Sequence, residues 1–329
     1  MSKKIIIIDN SSLSYSGEDI NGTFLRGTET SLILLAEQFY KMGHKIDYCN
    51  EIKDNRIFNG VRYFNKKNID KKITYDLAIA ISDANQFNHV TSLKKAVFSV
   101  SNQAFEKFLR KKQLISFLKY KPKVICFSNY HYNSRSFLTS FFGKEIITPS
   151  IDNDFYTTKL PLKNHNDVIF YSRADRNGQL ILDIWKDLFI NNSIKSKFFI
   201  PKDLFIENEE MVKFNIVKKE FLPKNELINF LKNFRILIIP GHKGEVFCNV
   251  AEEAKALGIP IITLGIGALK ERVKNNYNGF LCHNLEDFKS KIFQLLKDDD
   301  LYQRFKNNLL RDRGENKWSN TVNSLINLF

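Results

Sequence analysis

The sequence predicts an α/β protein made of two Rossmann-like domains that face a central cleft. Its 329 residues suit two domains of about 150 residues each. Hydrophobic residues make up 43% of the chain, which supplies a sizeable core, and short β-branched runs alternate with amphipathic segments along its length. We expect the first domain over residues 1–155, the second over 156–312, and a C-terminal helix over 313–329 that packs back towards the first.

The first domain opens with a strand–loop–helix–strand unit of the doubly wound kind. Lys4–Asp9 predicts a buried parallel strand, and a polar loop follows it from Asn10 to about Gly27. Residues 29–42 have helical periodicity, Gly43 ends that helix, and residues 44–48 form the next strand. Further strands are expected at 77–81, 96–100, 124–127 and 145–148, and helices at 103–118 and 131–141.

The second domain repeats this alternation. Strands are expected at 168–172, 197–200, 216–218, 236–239 and 260–264, and helices at 180–189, 224–233, 250–257, 285–297 and 300–310. Ligands of open α/β sheets bind outside the carboxyl ends of the strands. Both domains should therefore offer their loops to the cleft.

Composition narrows the function classes. The formal net charge of +14 suits nucleic acid, a membrane surface or anionic small molecules. The cations are spread without an Arg/Gly tract or zinc-finger spacing, so we expect no nucleic-acid partner. The four cysteines lie far apart with no C-x-x-C pair, which predicts small buried residues and no metal site. No apolar run reaches 18 residues, so we expect a cytoplasmic protein, with peripheral attachment to the inner face of a membrane left open.

The sharpest motif runs from residue 236 to residue 260. A buried strand ends at Pro240, Glu245 follows in the loop, and Glu253 comes after seven further residues, inside the next helix. The helix N-terminus between the two acids attracts phosphate, by about 0.3–1 kcal/mol when exposed. The carboxylates can accept hydrogen bonds from sugar hydroxyls. The alternative is two exposed acids that flank a surface helix.

This segment resembles the E-x7-E signature of the family 4 glycosyltransferases, which are retaining enzymes with the glycosyltransferase B fold. The family's next run is matched at Glu253, Ala254, Ala256, Gly258 and Pro260. The resemblance implies that Glu245 contacts the donor hexose and Glu253 the ribose hydroxyls. The remaining donor-binding residues that it implies are Gly244, His242, Phe247, Cys248 and Asn249.

Two arginines follow the first strand of the second domain. The resemblance implies that Arg173 and Arg176 neutralise the departing diphosphate and act with Glu245 as the catalytic residues. The family usually has a Lys directly before the Gly, whereas here Asn177 separates Arg176 from Gly178. Arginine can grip phosphate bidentately, so the replacement is chemically credible. The alternative is two solvated arginines in a turn.

In the first domain, Gly27 and Thr28 resemble the family's first, glycine-rich loop, which implies an acceptor-side role. Many family members carry a catalytic His at a first-domain strand end, and no His stands at 82–83 or 101–102. His89 and His131 are nearby in sequence, and we expect both to be surface or helix-capping residues. The identity of any protein base is therefore open.

The resemblance implies transfer of a sugar from a nucleoside-diphosphate sugar to a glycan or lipid-linked acceptor, with retention of configuration. No metal and no cofactor are expected. The alternative is a catalytically weak or inactive transferase-like basic protein that binds a membrane or a glycan surface. Residues 105–123 interleave apolar and cationic residues, which suits an anionic membrane. A dehydrogenase would need G-x-G-x-x-G after the first strand, and this chain lacks it.

Overall fold

A computed structural model describes residues 2–22, 25–162 and 165–329. The chain divides into two compact units, the first formed by Met1–Ser150 with Asn316–Phe329 and the second by Ile151–Glu315. Each unit has its own sheet with helices on it. The α/β class and the two Rossmann-like sheets are therefore as predicted.

The described part of the first unit contains one eight-stranded sheet in the order β3-β4-β2-β1-β5-β6-β7-β8. All neighbouring strands are parallel except β3 and β4. Its strands are β1 (Lys4–Ile8), β2 (Lys45–Asn50), β3 (Arg56–Phe58), β4 (Val61–Asn65), β5 (Thr74–Ile81), β6 (Thr91–Phe98), β7 (Lys123–Cys126) and β8 (Lys144–Ile146).

The helices of the first unit connect these strands. They are α1 (Asp19–Gly22), α2 (Gly27–Lys41), α3 (Phe105–Arg110), α4 (Gln113–Tyr120) and α5 (Asn129–Ser134), with short 3₁₀ turns at Lys66–Asn68, Ala84–His89 and Phe137–Thr139. The expected loop over 10–27 is interrupted by α1, and its residues 23 and 24 lie outside the described ranges. The chain's last helix, Trp318–Asn327, belongs to this unit and contacts α2.

Three features of the first unit depart from the sequence prediction. The helix expected over 131–141 is α5 (Asn129–Ser134) followed by a separate 3₁₀ turn at Phe137–Thr139, because Arg135 between them has an extended backbone with ψ 124°. The helix expected over 103–118 is two helices, because Lys112 between them has φ 52°. The antiparallel pair β3–β4 was not predicted, although Asn59-Gly60 between the strands has φ 46° and 77°. Positive φ at both central residues is the geometry of a two-residue hairpin turn, which Asn-Gly favours.

In the second unit, the described residues form one parallel six-stranded sheet in the order β11-β10-β9-β12-β13-β14. Its strands are β9 (Val168–Ile169), β10 (Phe198–Pro201), β11 (Ile216–Lys219), β12 (Ile236–Ile238), β13 (Ile261–Thr263) and β14 (Gly279–Leu281). Its helices are α6 (Asn153–Thr157), α7 (Gly178–Asn191), α8 (Asn208–Lys213), α9 (Lys224–Leu231), α10 (Asn249–Ala256), α11 (Leu285–Lys297) and α12 (Asp299–Arg311), and the last helix of the chain, Trp318–Asn327, is α13.

Each sheet is buried between its helices. Ile5–Ile8 of β1 are inaccessible to solvent, as expected for a parallel strand covered on both faces. In the second unit Trp185 of α7 is fully buried and donates a hydrogen bond from Nε1 to the Phe214 carbonyl oxygen. The four cysteines are buried free thiols, as predicted. Among the described residues, no helix is long and apolar enough to cross a membrane.

Candidate functional site

The order of the second sheet singles out one position, at the carboxyl ends of the neighbouring strands β9 and β12. From β9 the chain builds β10 and β11 on one side and then β12, β13 and β14 on the other. Ligands of open parallel sheets bind outside the carboxyl ends of the strands at such a reversal. The segments that follow β9 and β12 carry Arg173, Arg176, His242, Gly244 and Glu245.

After β9, one carboxylate engages both arginines. The Arg173 guanidinium contacts the Asp175 carboxylate, and Arg176 Nε lies 3.9 Å from Asp175 Oδ1. The Arg173 side chain is 62% exposed and that of Arg176 19%. Arg176 is therefore held by its surroundings, whereas Arg173 can move away from Asp175 towards an incoming anion.

Asn177 links the two strand ends. It precedes α7 with φ 63°, a left-handed conformation that Asn tolerates better than most residues. Its Nδ2 donates a hydrogen bond of 2.6 Å to the Gly241 carbonyl oxygen, beyond β12. The residue that interrupts the family pattern thus ties the arginine segment to the loop that carries His242.

Two glycines allow the loop after β12 to pack closely. Gly241 has φ 96°, and a Cβ there would lie 2.3 Å from the Ile266 carbonyl oxygen. A Cβ on Gly244 would lie 2.6 Å from a guanidinium nitrogen of Arg176. The missing side chain at Gly244 is therefore what lets Arg176 reach the loop.

His242 holds Arg176 against this loop. Its Nδ1 accepts a hydrogen bond of 2.9 Å from the Gly244 backbone amide and also contacts the Arg176 guanidinium. Both partners can only donate, so Nδ1 is the acceptor and a neutral ring carries its hydrogen on Nε2. The structure thus brings His242, Gly244 and Arg176 into contact.

Glu245 lies beside this cluster with one oxygen unused. Burial raises the pKa of Glu245, while a hydrogen bond from Cys248 and the charge of Arg176 act to lower it. Its Oε2 is inaccessible to solvent and has no hydrogen-bond partner among the described residues. A buried carboxylate oxygen without a donor is costly, and a ligand hydroxyl would satisfy it.

Helix α10 begins at Asn249, four residues after Glu245. Cys248 precedes the helix with φ 70°, a conformation that costs a non-glycine residue energy and that recurs at functional sites. Asn249 is the first helical residue, and Phe247 packs under the Arg272 guanidinium, 4.6 Å from ring centroid to Cζ. Amides of a first helical turn have no carbonyl partner within the helix, so this end suits an anion.

Glu253 is placed by different neighbours. Burial, assisted by the charge of Asp152, raises the pKa of Glu253 to about 7. Asp152 in turn pairs with Lys224 at 2.9 Å, and Lys224 also contacts Asp154 at 2.8 Å. Tyr171, just beyond β9, is close enough for Glu253 to contribute to its raised pKa. Glu253 therefore lies near the end of β9, beside a compensated acidic group.

Gly27 and Thr28, which were predicted to form an acceptor-side loop, belong to the first unit. Gly27 and Thr28 are not loop residues, because they form the start of α2. The amphipathic pattern had placed the helix start at residue 29, since glycine is a poor helix former. Gly27 is exposed and Thr28 half-buried, and both directly precede Glu29, which is 5% exposed.

His131 is not the surface residue that was one of the two expectations for it, but its ring does bond the backbone at a helix N-terminus, which was the other. His89 is exposed as predicted, but His131 is fully buried, and burial lowers its pKa to about 4. It is packed beside the buried Arg135, whose charge also disfavours protonation. Ser128 caps α5 through the His131 amide, and His131 Nδ1 accepts a hydrogen bond of 3.2 Å from the Phe127 backbone amide that leads into the helix.

Sequence reasoning missed the residues that organise the site. Asp175 contacts both arginines, Asn177 holds Gly241, and Asp152 with Lys224 sets the surroundings of Glu253. Only Asp175 had a usable signal, because an acid between two arginines is their nearest counter-charge. The others act through contacts between segments far apart in sequence.

A comparison with known families matches part of the chain. Residues 207–311 match the family model of the glycosyl transferases group 1. This stretch contains the loop after β12 and all of α10, and so it includes His242, Gly244, Glu245 and Glu253. The two arginines lie before it.

A curated relative is a glycosyltransferase as well. The capsular polysaccharide biosynthesis glycosyltransferase CapM of Staphylococcus aureus is 36% identical over 97 residues, which cover 29% of this chain and 25% of CapM. The match thus spans about a quarter of that relative's length.

Among solved structures, sucrose-phosphate synthase from Thermosynechococcus elongatus is similar over 99% of this chain and 98% of its own, with a TM-score of 0.72 and 13% identity. HepE from Anabaena, solved with UDP and glucose, is similar over 99% of both chains, with a TM-score of 0.72 and 15% identity. At such identities the likeness shows the fold, which is the glycosyltransferase B fold predicted from the motifs.

Proposed function

We propose that this chain is a metal-independent, retaining glycosyltransferase of the E-x7-E type. It moves a sugar from a nucleoside-diphosphate sugar to a glycan or lipid-linked acceptor. The second unit holds the donor. With the expected bounds, residues 1–155 form the acceptor domain, residues 156–312 form the donor domain, and residues 313–329 form a helix that packs back towards the first. HepE was solved with UDP and glucose, which supports a donor of this class.

One observation carries the proposal. At the reversal of the second sheet, Arg176, His242 and Gly244 are in contact, and the unpartnered oxygen of Glu245 lies beside them. Guanidinium groups bind diphosphate, and a buried carboxylate oxygen accepts from a sugar hydroxyl. An anion-binding end and a hydroxyl-binding end in one place suit a sugar diphosphate.

The leaving group is stabilised by fixed positive charge in this proposal. Arg173 and Arg176 meet the diphosphate as the bond to the anomeric carbon breaks, and the start of α10, from Phe247 to Asn249, adds the dipole of a helix N-terminus. Glu253 binds the ribose hydroxyls. No metal takes part, because the two guanidinium groups carry the charge that a divalent cation would supply.

Isothermal titration calorimetry tests the donor assignment. UDP-, GDP-, ADP- and CMP-linked sugars are titrated into the wild-type chain and into the Arg176→Ala and Glu245→Gln variants. We expect one nucleotide class to bind the wild type and both variants to weaken it by about tenfold or more, as expected for loss of a charged hydrogen bond. Equal affinities in all three proteins would refute the site.

Turnover assays test the proposed activity, its independence of metal and the retention of configuration. Release of nucleoside diphosphate should persist in EDTA, and the anomeric configuration of the product, read by NMR, should be that of the donor. A chain that binds the donor but releases no diphosphate with any glycan or lipid-linked acceptor would instead be an inactive binding protein.

We also propose that the first unit attaches to an anionic membrane. Around α3, α4 and the 3₁₀ turn at Phe137–Thr139, seven large apolar side chains are exposed: Phe105, Leu109, Leu114, Ile115, Leu118, Phe137 and Leu138. Six exposed cations belong to the same helices and their flanks: Lys107, Arg110, Lys111, Lys112, Lys119 and Lys121. An apolar surface edged by cations matches the chemistry of anionic lipid.

Vesicle sedimentation tests the attachment. Wild-type protein should bind vesicles of phosphatidylglycerol and phosphatidylcholine and not vesicles of phosphatidylcholine alone. Ile115→Asp, at a side chain that is 70% exposed, should abolish binding, whereas Val212→Asp, at an 85% exposed side chain of the second unit, should not. Equal binding by both variants would contradict the assignment.

A further inference from the structure

The carboxylate of Asp175 lies between the two guanidinium groups that the proposed function assigns to the diphosphate. Its Oδ2 accepts a hydrogen bond from Arg173, and its Oδ1 lies 3.9 Å from Arg176 Nε. After burial, the charge of Asp175 is a further cause that raises the pKa of Glu245. Asp175 is therefore close to Glu245 as well, and it presents one oxygen to each arginine of the candidate donor site.

These contacts are weak enough to be broken. The side chains of Arg173 and Asp175 are 62% and 56% exposed, so water screens the attraction between them. The separation of 3.9 Å between Asp175 and Arg176 is longer than a hydrogen bond. An incoming anion can therefore replace the carboxylate without unfolding any element of the second unit.

A second arginine–aspartate pair shows what a structural contact looks like in this chain. Arg62 donates to both carboxylate oxygens of Asp47, from Nε at 2.8 Å and from Nη2 at 2.6 Å. The Asp47 side chain is 9% exposed, and it also accepts a hydrogen bond from the Tyr75 hydroxyl. Asp175 has neither this paired geometry with one arginine nor this burial, so it is a displaceable partner.

We propose that Asp175 is an internal counter-ion, which holds the two arginines while the donor site is empty and which a diphosphate displaces. A diphosphate resembles this carboxylate in that its separate oxygens can meet two guanidinium groups. It also carries more charge, so the exchange favours the ligand.

The carboxylate nevertheless competes at every ligand concentration, because the chain tethers it beside the arginines. The chain thereby limits its own affinity for diphosphate, and Asp175 takes back the arginines as a nucleoside diphosphate leaves. This role rests on the proposed function, which places the diphosphate at Arg173 and Arg176.

Isothermal titration calorimetry tests the role with pyrophosphate, UDP and uridine, or with the nucleotide and nucleoside of whichever base binds. Asp175→Asn keeps the size of the side chain and removes its charge. We expect this variant to bind pyrophosphate and UDP about two- to fivefold more tightly than the wild type, the range that exposed ion pairs contribute. Its affinity for uridine and its melting temperature should not change, because neither depends on the two arginines.

Two further variants separate competition from a general effect of charge. Asp203 lies beside the same segment, where its Oδ2 accepts a hydrogen bond of 3.3 Å from the Ala174 amide. Asp203→Asn removes the same charge without freeing a guanidinium group, so its affinity for pyrophosphate should stay close to that of the wild type. Asp175→Glu keeps the charge on a side chain one methylene longer and should bind pyrophosphate like the wild type.

Each contrary result has a definite meaning. Equal or weaker binding of pyrophosphate by Asp175→Asn would overturn the role, since the carboxylate would then not compete with the ligand. An equal gain in Asp203→Asn would reduce the effect to net charge and overturn it as well. UDP binding by the wild type without any gain in Asp175→Asn would leave the proposed function standing. A gain for pyrophosphate in a chain that binds no nucleoside diphosphate would instead refute the proposed function and leave the counter-ion.

Discussion

Replacing Gly244 by Ala is the most selective perturbation of the candidate donor site. The backbone φ of Gly244 lies outside the left-handed region, so alanine fits the chain there without strain. Its new Cβ would lie 2.6 Å from a guanidinium nitrogen of Arg176 and 3.1 Å from His242 Nδ1. Both contacts are to side-chain ends, and the guanidinium is the flexible one, so Arg176 should move while the fold remains.

The expected loss follows from what Arg176 does when it is in place. A hydrogen bond to a charged group is worth about 1.5–3 kcal/mol, more than a neutral one. Moving the guanidinium off the loop removes its bond to the diphosphate and should weaken nucleoside-diphosphate binding by about tenfold to a hundredfold. The nucleoside contributes through other residues, so affinity for the nucleoside alone should not change.

Calorimetry with UDP and with uridine separates the two contributions, or the matching pair for whichever base binds. Arg176→Ala supplies the upper limit of the effect, and Gly244→Ala should approach that limit while its melting temperature stays near that of the wild type. If Gly244→Ala binds UDP like the wild type although Arg176→Ala does not, the close approach of guanidinium and glycine is irrelevant to binding. If neither variant changes UDP binding, Arg176 does not meet a diphosphate.

Three further outcomes test other contacts. Gly241→Ala should lower the melting temperature much more than Gly265→Ala, because both glycines have positive φ but only at Gly241 would a Cβ clash with backbone, 2.3 Å from the Ile266 oxygen. His242→Asn keeps an acceptor near the Nδ1 position and should retain UDP affinity, whereas His242→Leu should lose it, and equal losses would contradict the role of Nδ1. The pKa of Glu253 is raised from 4.5 to about 7, so the folded state loses stability as pH rises between those values. The melting temperature of Glu253→Gln should therefore gain on that of the wild type as pH rises from 4.5 to about 7. A difference that stays constant over this range would refute the raised pKa.

Much of the fold could be predicted because its signals are local. The runs at β1 and β12 are apolar and β-branched, and residues 285–297 have a clear helical period, so these elements lie within a residue of their expected bounds. The hairpin of β3 and β4 was missed because each strand is short and only half-buried. Its Asn59-Gly60 turn carried the one available signal.

The candidate site was partly predictable for a different reason. A loop between a strand and a helix fixes which residues leave a strand end together, so the grouping of His242, Gly244 and Glu245 followed from sequence spacing. The same loop contacts Arg176 through His242, which lies 66 residues later in the sequence. This contact depends on the neighbouring positions of β9 and β12 in the sheet. The family pattern supplied that neighbour relationship indirectly, since it placed an arginine after the first strand of the domain.

Residues that act through a third partner could not be predicted. Asp175 and Asn177 are ordinary turn residues in sequence, and their value lies in the atoms that they meet, an arginine pair and the Gly241 carbonyl oxygen. His131 was predicted only in part. Its position after a strand indicated a surface or helix-capping residue, and only the packing of α5 shows that the ring bonds the helix N-terminus from within the core.

Unpartnered buried atoms alone do not mark a functional site, and their location decides which ones matter. Among the described residues, Tyr302 and Trp318 also have buried polar atoms without a hydrogen-bond partner, but both are neutral groups on helices and neither follows a strand at which its sheet reverses. Glu29 and Glu245 are carboxylates, and each follows a strand at which its sheet reverses. A chain can tolerate a buried, unpaired carboxylate oxygen when a ligand completes it. Within the part of the chain that the structure describes, the two positions where sheet topology expects a ligand are also those where an acid is left with an unsatisfied oxygen.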